Sequence, residues 1–183
     1  MNVKYVLLFC FLLSDSFLYW ENLSKTDQDS FVLNVVKSKD LSDVLEGRFK
    51  LVDNKRTRLL LDTLSDLPTD KKTKALYFNV FNQICQKADG EFGEILGSYC
   101  QKILLSDVEY VVYYLRAHPK LRAKYAIFLG MEFYFKDEGV SDMKYDFKDF
   151  KKEINEKLRN TQKYQDFLFS FYNEIAVDMK NME

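Results

Sequence analysis

Only six glycines and two prolines interrupt a chain of 183 residues. Sheet-rich folds spend turn residues at every strand connection, so this scarcity points to helices joined by a few polar loops. Neither sign of charge prevails: 27 basic residues face 28 acidic ones, for a formal net charge of -1. Nucleic-acid binders draw affinity from neutralising phosphates with a basic excess, and that excess is missing. The densest basic run, Lys71-Lys72-Thr73-Lys74, reads instead as the solvated first turn of a helix. One histidine and three scattered cysteines make no cluster with zinc-ligand spacing. A P-loop, a dinucleotide-binding glycine pattern and a Gly-x-Ser-x-Gly elbow are all missing, so no residue pattern calls for a metal or a cofactor.

What the chain does contain is apolar and aromatic. It is 47% hydrophobic and 16% aromatic, with 30% charged residues. That is too apolar for a disordered chain and too charged for a polytopic membrane protein, and the length suits one domain with its own core.

The first residues have the order of a secretory signal peptide. Lys4 supplies a positive start, residues 5–13 form an apolar run, and Ser14-Asp15-Ser16 places small residues where a signal peptidase reads. The run is far shorter than the roughly 20 residues of a bilayer-spanning helix, so no transmembrane segment is expected once the leader is removed. Cys10 lies inside the apolar run with Phe9 before it, which excludes lipidation there. The competing reading makes this stretch the first buried helix of a cytosolic protein, because Phe17, Leu18, Tyr19 and Trp20 continue the apolar character. The expected organisation is therefore a leader at 1–16, a linker or loosely attached start at 17–30, and a single helical domain at 31–183.

Within that domain the apolar residues recur at helical spacing. A short helix, with a β-branched strand as the alternative, is expected around Phe31, Val32, Val35 and Val36, and a helix over 56–64. Pro68 stops one helix, and Thr69 or Asp70 caps the next. Leu76, Tyr77, Val80, Phe81, Ile84, Cys85 and Ala88 form one stripe, and a glycine cap at Gly90 is expected to end it. Phe92, Ile95, Leu96, Tyr99, Cys100, Ile103 and Leu104 form a second stripe at once afterwards, which predicts an antiparallel helical hairpin over 70–105. Ser106-Asp107-Val108-Glu109 has the form of a capping box before a helix carrying Val108, Val111, Val112 and Leu115. Residues 121–135 are apolar on more than one face, the mark of a central helix. Further helices follow around Phe147, Phe150, Ile154 and Leu158, and around Phe167, Leu168, Phe171 and Ile175. The fold class is all-α: a compact bundle, or a short stack of antiparallel hairpins with a HEAT-like rhythm.

Residues able to carry chemistry are few. His118, beside Pro119, reads as a helix-end residue interacting with the dipole rather than as a catalyst. Cys85 and Cys100 both fall on inward faces and could form one disulfide, worth about 3 kcal/mol for a loop of this size. With straight helices their axial positions disagree, and two buried free thiols are the alternative. Asp89, Glu91 and Glu94 cluster at the expected hairpin tip, where a cell-envelope hydrolase would place its acids, although acids at a helix start also simply complement its dipole. Gly93 and Gly97 leave a flat strip for a second helix. Tyr110, Tyr113 and Tyr114 fall off or beside the apolar stripe of their helix and suit a protein contact, with a thick aromatic core at a helix crossing as the alternative for each.

These features favour a non-enzymatic, exported helical protein, periplasmic or secreted, that binds another protein as an inhibitor or immunity-type factor would. A homo-oligomer is compatible with the same features. The alternatives are the hydrolase and a cytosolic helical adaptor. Protein purified from its native host is expected to show an intact mass lacking residues 1–16, and a full-length mass would make the leader part of the core.

Overall fold

The computed structural model describes residues 39–88, 90–139, 145–159 and 161–182; the leader, the linker and the apolar segment at 31–36 lie outside the described residues. All regular structure among the described residues is helical: α1 Lys39–Leu45, α2 Lys55–Ser65, α3 Lys71–Lys87, α4 Gly90–Ser106, α5 Val108–Ala117, α6 Pro119–Asp137, α7 Phe147–Lys157, a 3-10 turn Gln162–Tyr164, and α8 Gln165–Lys180.

Helix starts follow side-chain chemistry. Asn54 accepts from the Thr57 amide at 2.9 Å, Asp70 from Thr73 at 2.9 Å, and Asp146 from Asp149 at 2.7 Å. Each satisfies one of the free amides of a first turn. Ahead of α5 the cap is Asp107, which accepts from the Tyr110 amide, and not Ser106. The Ser106 hydroxyl is already engaged with the Ile103 carbonyl of its own helix at 2.7 Å. Gly90 likewise does not end α3. Ala88, extended at φ -63 and ψ 137, is the C-cap, and Gly90 opens α4.

The expected hairpin over 70–105 is not the organising contact. The long contact of α4 is with α6, while α3 meets α1, α2 and α6. A second long contact joins α6 to α8. The molecule is therefore a bundle around α6, whose main partners are not its neighbours in the chain, rather than a stack of consecutive hairpins. As its apolar residues on several faces suggested, α6 is central, with Leu121, Tyr125, Ala126, Phe128, Leu129 and Phe133 buried. One cluster of buried apolar side chains runs from Leu41 to Ile175.

Glycines explain why α4 chose α6. A methyl group built on Gly97 would collide with the Glu132 side chain and the Phe128 carbonyl of α6. One on Gly93 would meet the Phe128 ring at 2.9 Å. Bare backbone at these places lets two helix surfaces approach closely, and packing attraction grows steeply with such approach. On another side of α6, a methyl on Gly130 would reach Asp178 Cβ of α8 at 2.8 Å and the Ile175 carbonyl at 3.1 Å.

Polar contacts fasten the links. Lys124 Nζ donates to the Ala88 carbonyl at 2.9 Å, and Lys157 Nζ to the Leu105 carbonyl at 2.9 Å. Both lysines satisfy carbonyls near a helix C-terminus, where a cation also complements the dipole. Lys74 and Asp107 pair at 2.6 Å between α3 and the start of α5.

Replacing glycine by alanine in a helix ordinarily stabilises it by about 1 kcal/mol. At Gly97 the collision involves backbone on α6, and overpacking of this kind costs about 1–3 kcal/mol. Gly97→Ala is expected to destabilise the protein in urea unfolding, and more than Gly130→Ala, whose nearest obstacle is a partly exposed side chain. A stabilised Gly97→Ala protein would contradict the close crossing.

Candidate functional site

The tyrosines proposed as a contact surface separate once folded. Tyr114 is buried, its ring edge-on to Phe78 at 4.9 Å and stacked on His118 at 3.9 Å. Tyr110 is half-buried, 5.1 Å from the same Phe78 ring, and burial is the first cause that pushes its hydroxyl up to about 12. Only Tyr113 stands in solvent, at 60% exposure. Residues 110 and 114 flank the valine stripe of α5, and the neighbouring α3 is wide enough with Phe78 to cover both. Gly93 and Gly97 are likewise not an external surface, because α6 of the same chain occupies that strip.

His118 is the joint between α5 and α6, with Pro119 as the first residue of α6. Its Nδ1 lies 2.8 Å from the Tyr114 carbonyl. A carbonyl can only accept, so this nitrogen carries the proton. The role is structural. Of the three acids considered for hydrolysis, Glu94 is exposed on α4, and Asp89 and the side chain of Glu91 lie outside the described residues. Among the described residues no group of three or more His, Cys, Asp or Glu is placed to hold a metal ion.

Cys85 and Cys100 do come together. Both are fully buried free thiols. Burial pushes the Cys100 thiol well up, and neighbouring Cys85 and then the charge of Glu132 add to this. Above them the buried Tyr125 hydroxyl donates to Asn82 Oδ1 at 2.8 Å. α4 is helical from Gly90 onward, so the late start near Gly97 that would bring their axial positions together is not seen.

The surface feature that sequence reasoning missed is a groove of about 550 Å³ between α6 and α8. Ala123, Ala126 and Ile127 line it from α6; Phe169, Asn173 and Val177 line it from α8, with Ser170, Glu174 and Asp178 also contributing. Phe169 is 71% exposed, Val177 56% and Ile127 39%. Isolated exposed apolar residues need no explanation, but three around one groove form a patch of the sort that marks a contact site. The signal was present in the sequence. Phe169 and Val177 stand two turns apart on the side of α8 opposite its buried stripe, where a solvated helix carries polar residues.

The groove is acidic at one edge. Glu174 is engaged by Arg122, which reaches Oε2 through Nε at 3.0 Å and Oε1 through Nη2 at 2.7 Å, and Ser170 Oγ lies 3.3 Å from Oε1. Among the described residues no cation pairs with Asp178. Its carboxyl is raised above the usual carboxylate range, first by partial burial and then by the negative charge of Glu174.

Fold and groove together define the class, an all-α bundle presenting a preformed apolar groove with an acidic edge. The described helices include none long and apolar enough to cross a membrane. No protein-family model, curated protein or solved structure matches the chain.

A carboxyl that holds its proton more tightly when folded costs stability while it is ionised. That cost is present above its folded pKa and fades as the pH falls through it. Asp178→Asn is therefore expected to raise the unfolding midpoint at neutral pH, with the gain shrinking in acid. A gain independent of pH would separate the effect from the charge of Asp178.

Proposed function

We propose that this protein acts by binding another protein, without catalysis of its own, and does so outside the cytoplasm as an inhibitor or immunity-type factor would. The observation that carries the binding reading is the groove: Phe169, Val177 and Ile127 stand open to solvent where α6 and α8 meet. Export rests on the charge–apolar–small order of residues 1–16.

The occupant we assign is an amphipathic helix with a basic residue beside its apolar stripe. Residues 169 to 178 span about 13 Å of helix at 1.5 Å per residue, room for two to three turns of a partner helix. Apolar anchors at i, i+3 or i+4, and i+7 of such a helix would meet the phenylalanine and the aliphatic residues. Its lysine or arginine would stand beside Asp178, which has no cation partner among the described residues once Arg122 has engaged Glu174. A charge pair of this type adds selectivity and guides encounter more than it adds affinity.

Two synthetic helical peptides with the same leucine stripe, one flanked by lysines and the other by glutamates, provide the test. In fluorescence anisotropy with the full-length protein, the basic peptide is expected to bind and the acidic one not. Phe169→Ser is expected to weaken binding about 30-fold, corresponding to the roughly 2 kcal/mol of an aromatic anchor, while leaving urea unfolding unchanged. Asp178→Asn is expected to narrow the preference between the peptides. Equal binding of both peptides, or an unaffected Phe169→Ser protein, would overturn the reading. A concentration-dependent dimer abolished by Phe169→Ser would overturn it too, by giving the groove to a second copy of this chain.

A further inference from the structure

We infer that a partner helix seated in the groove runs antiparallel to α6 and α8, with its basic residue about two turns before a bulky apolar anchor. This deepens the helix-binding reading and rests on it.

The direction of the groove follows from contacts between its walls. At one end the Arg122 guanidinium of α6 lies 5.8 Å from the centre of the Phe167 ring of α8 and reaches on to Glu174 at 2.7 Å. At the other end a methyl on Gly130 would meet Asp178 Cβ at 2.8 Å and the Met179 amide nitrogen at 3.2 Å. Residue numbers rise together along both walls, so α6 and α8 are parallel. Parallel helices set both positive amino ends at one end of the groove and both carbonyl ends at the other.

The two ends also differ in side chains. Ala123 and Ala126 are the smallest residues lining the groove, and they lie toward its amino end, where Phe169 lines the opposite wall. A bulky side chain finds its room there. Asp178 lies toward the carboxyl end, level with Gly130, and among the described residues no cation pairs with it. Ala123 and Gly130 are separated by about 10 Å of helix, or two turns. An anchor over the alanines and a cation beside Asp178 are therefore two turns apart in the partner as well.

Which of the two comes first is decided by the ends of α6. Its amino end is left positive: His118 provides no side-chain cap, the first turn holds no acid, and exposed Lys120 stands in it. Asp166 in the first turn of α8, and Lys136 and Lys180 in the last turns of α6 and α8, complement their own helix ends and do not line the groove. A partner whose carbonyl end lies toward Lys120 and whose amino end lies toward Asp178 meets opposite charge at both ends. The reverse direction would set its positive end against the uncapped end of α6 and its carbonyl end against Asp178. The cation therefore precedes the anchor in the partner's sequence.

Two peptides of identical composition test the order. Both are acetylated and amidated, with the same leucine stripe and one tryptophan anchor, and carry a lysine either two turns before or two turns after the tryptophan. Both are long enough to keep that lysine out of the terminal turns. In fluorescence anisotropy with the full-length protein, the lysine-first peptide is expected to bind about fivefold tighter, the size of one modest ion pair together with the dipoles. Asp178→Asn is expected to bring that ratio toward one. A nitroxide at the amino end of the bound lysine-first peptide is expected to broaden the amide NMR signals of Val177 and Asp178 and to spare those of Ala123 and Phe169. Equal affinities, or a preference for the lysine-last peptide, would overturn the direction while leaving helix binding standing. Broadening at Ala123 and Phe169 instead would do the same. Failure of both peptides to bind would overturn the helix-binding reading itself, and the direction with it.

Discussion

The closeness of α6 to its two main partners constrains everything else in the bundle. At Gly97 on α4 the backbone of α6 comes near enough to exclude even a methyl group, and at Gly130 the backbone of α8 comes nearly as close from another side. Two such crossings fix the distance and rotation of three helices at once, since a packed core tolerates neither voids nor overlaps of atomic size. The remaining elements adapt to this set. Short α5 delivers the chain from α4 to α6 through the joint at His118 and Pro119, and α3 lies across α6 with Phe81 against Tyr125 at 6.2 Å.

Polar groups inside this arrangement mostly serve the joints. Lys124 and Lys157 each cross to another segment to satisfy a backbone carbonyl, and Arg122 spans from α6 to Glu174 on α8. These contacts are exposed or half-buried, so screening makes each a modest contributor to stability. Their larger effect is on geometry, because they choose among rotations that apolar contact alone would leave similar in energy. Deeper in, Tyr125, Asn82, Cys85 and Cys100 form a small polar region in an otherwise apolar core. A region of that kind defines which helix faces must meet, since a polar group buried without a partner is costly.

Arg122 also connects the scaffold to the groove. By engaging Glu174 it joins α6 to α8, and among the described residues it leaves Asp178 beside a negative charge with no cation of its own. The same pair of helices thus supplies rigidity, an apolar floor and an unbalanced charge. On the proposed reading that combination would serve recognition of a helical partner, for which a fixed shape reduces the entropy lost on binding.

Much of this was legible in the residues alone. Scarce glycine and proline and the helical spacing of apolar positions were enough to specify an all-α chain, because backbone hydrogen bonding and side-chain periodicity are local properties. The cap at Asp70, the central character of α6 and the buried stripe of α8 follow from the same local physics. Partner choice among the helices did not. The run of two stripes around Gly90 suggested a hairpin, yet Gly93 and Gly97 gave α4 a better surface against α6, thirty-odd residues away in the chain. Tyr110 and Tyr114 likewise suited a surface on their own helix, yet against Phe78 of α3 Tyr114 became a core residue and Tyr110 a half-buried one. Conversely Phe169 and Val177, unremarked among so many aromatic and aliphatic residues, became a surface because α8 spends its other face on α6. The sequence by itself determined which segments coil and which face of each is apolar. Only the tertiary structure decided which apolar residues are satisfied inside the molecule and which remain exposed, since burial is a property of the neighbours a residue acquires and those are distant in the chain.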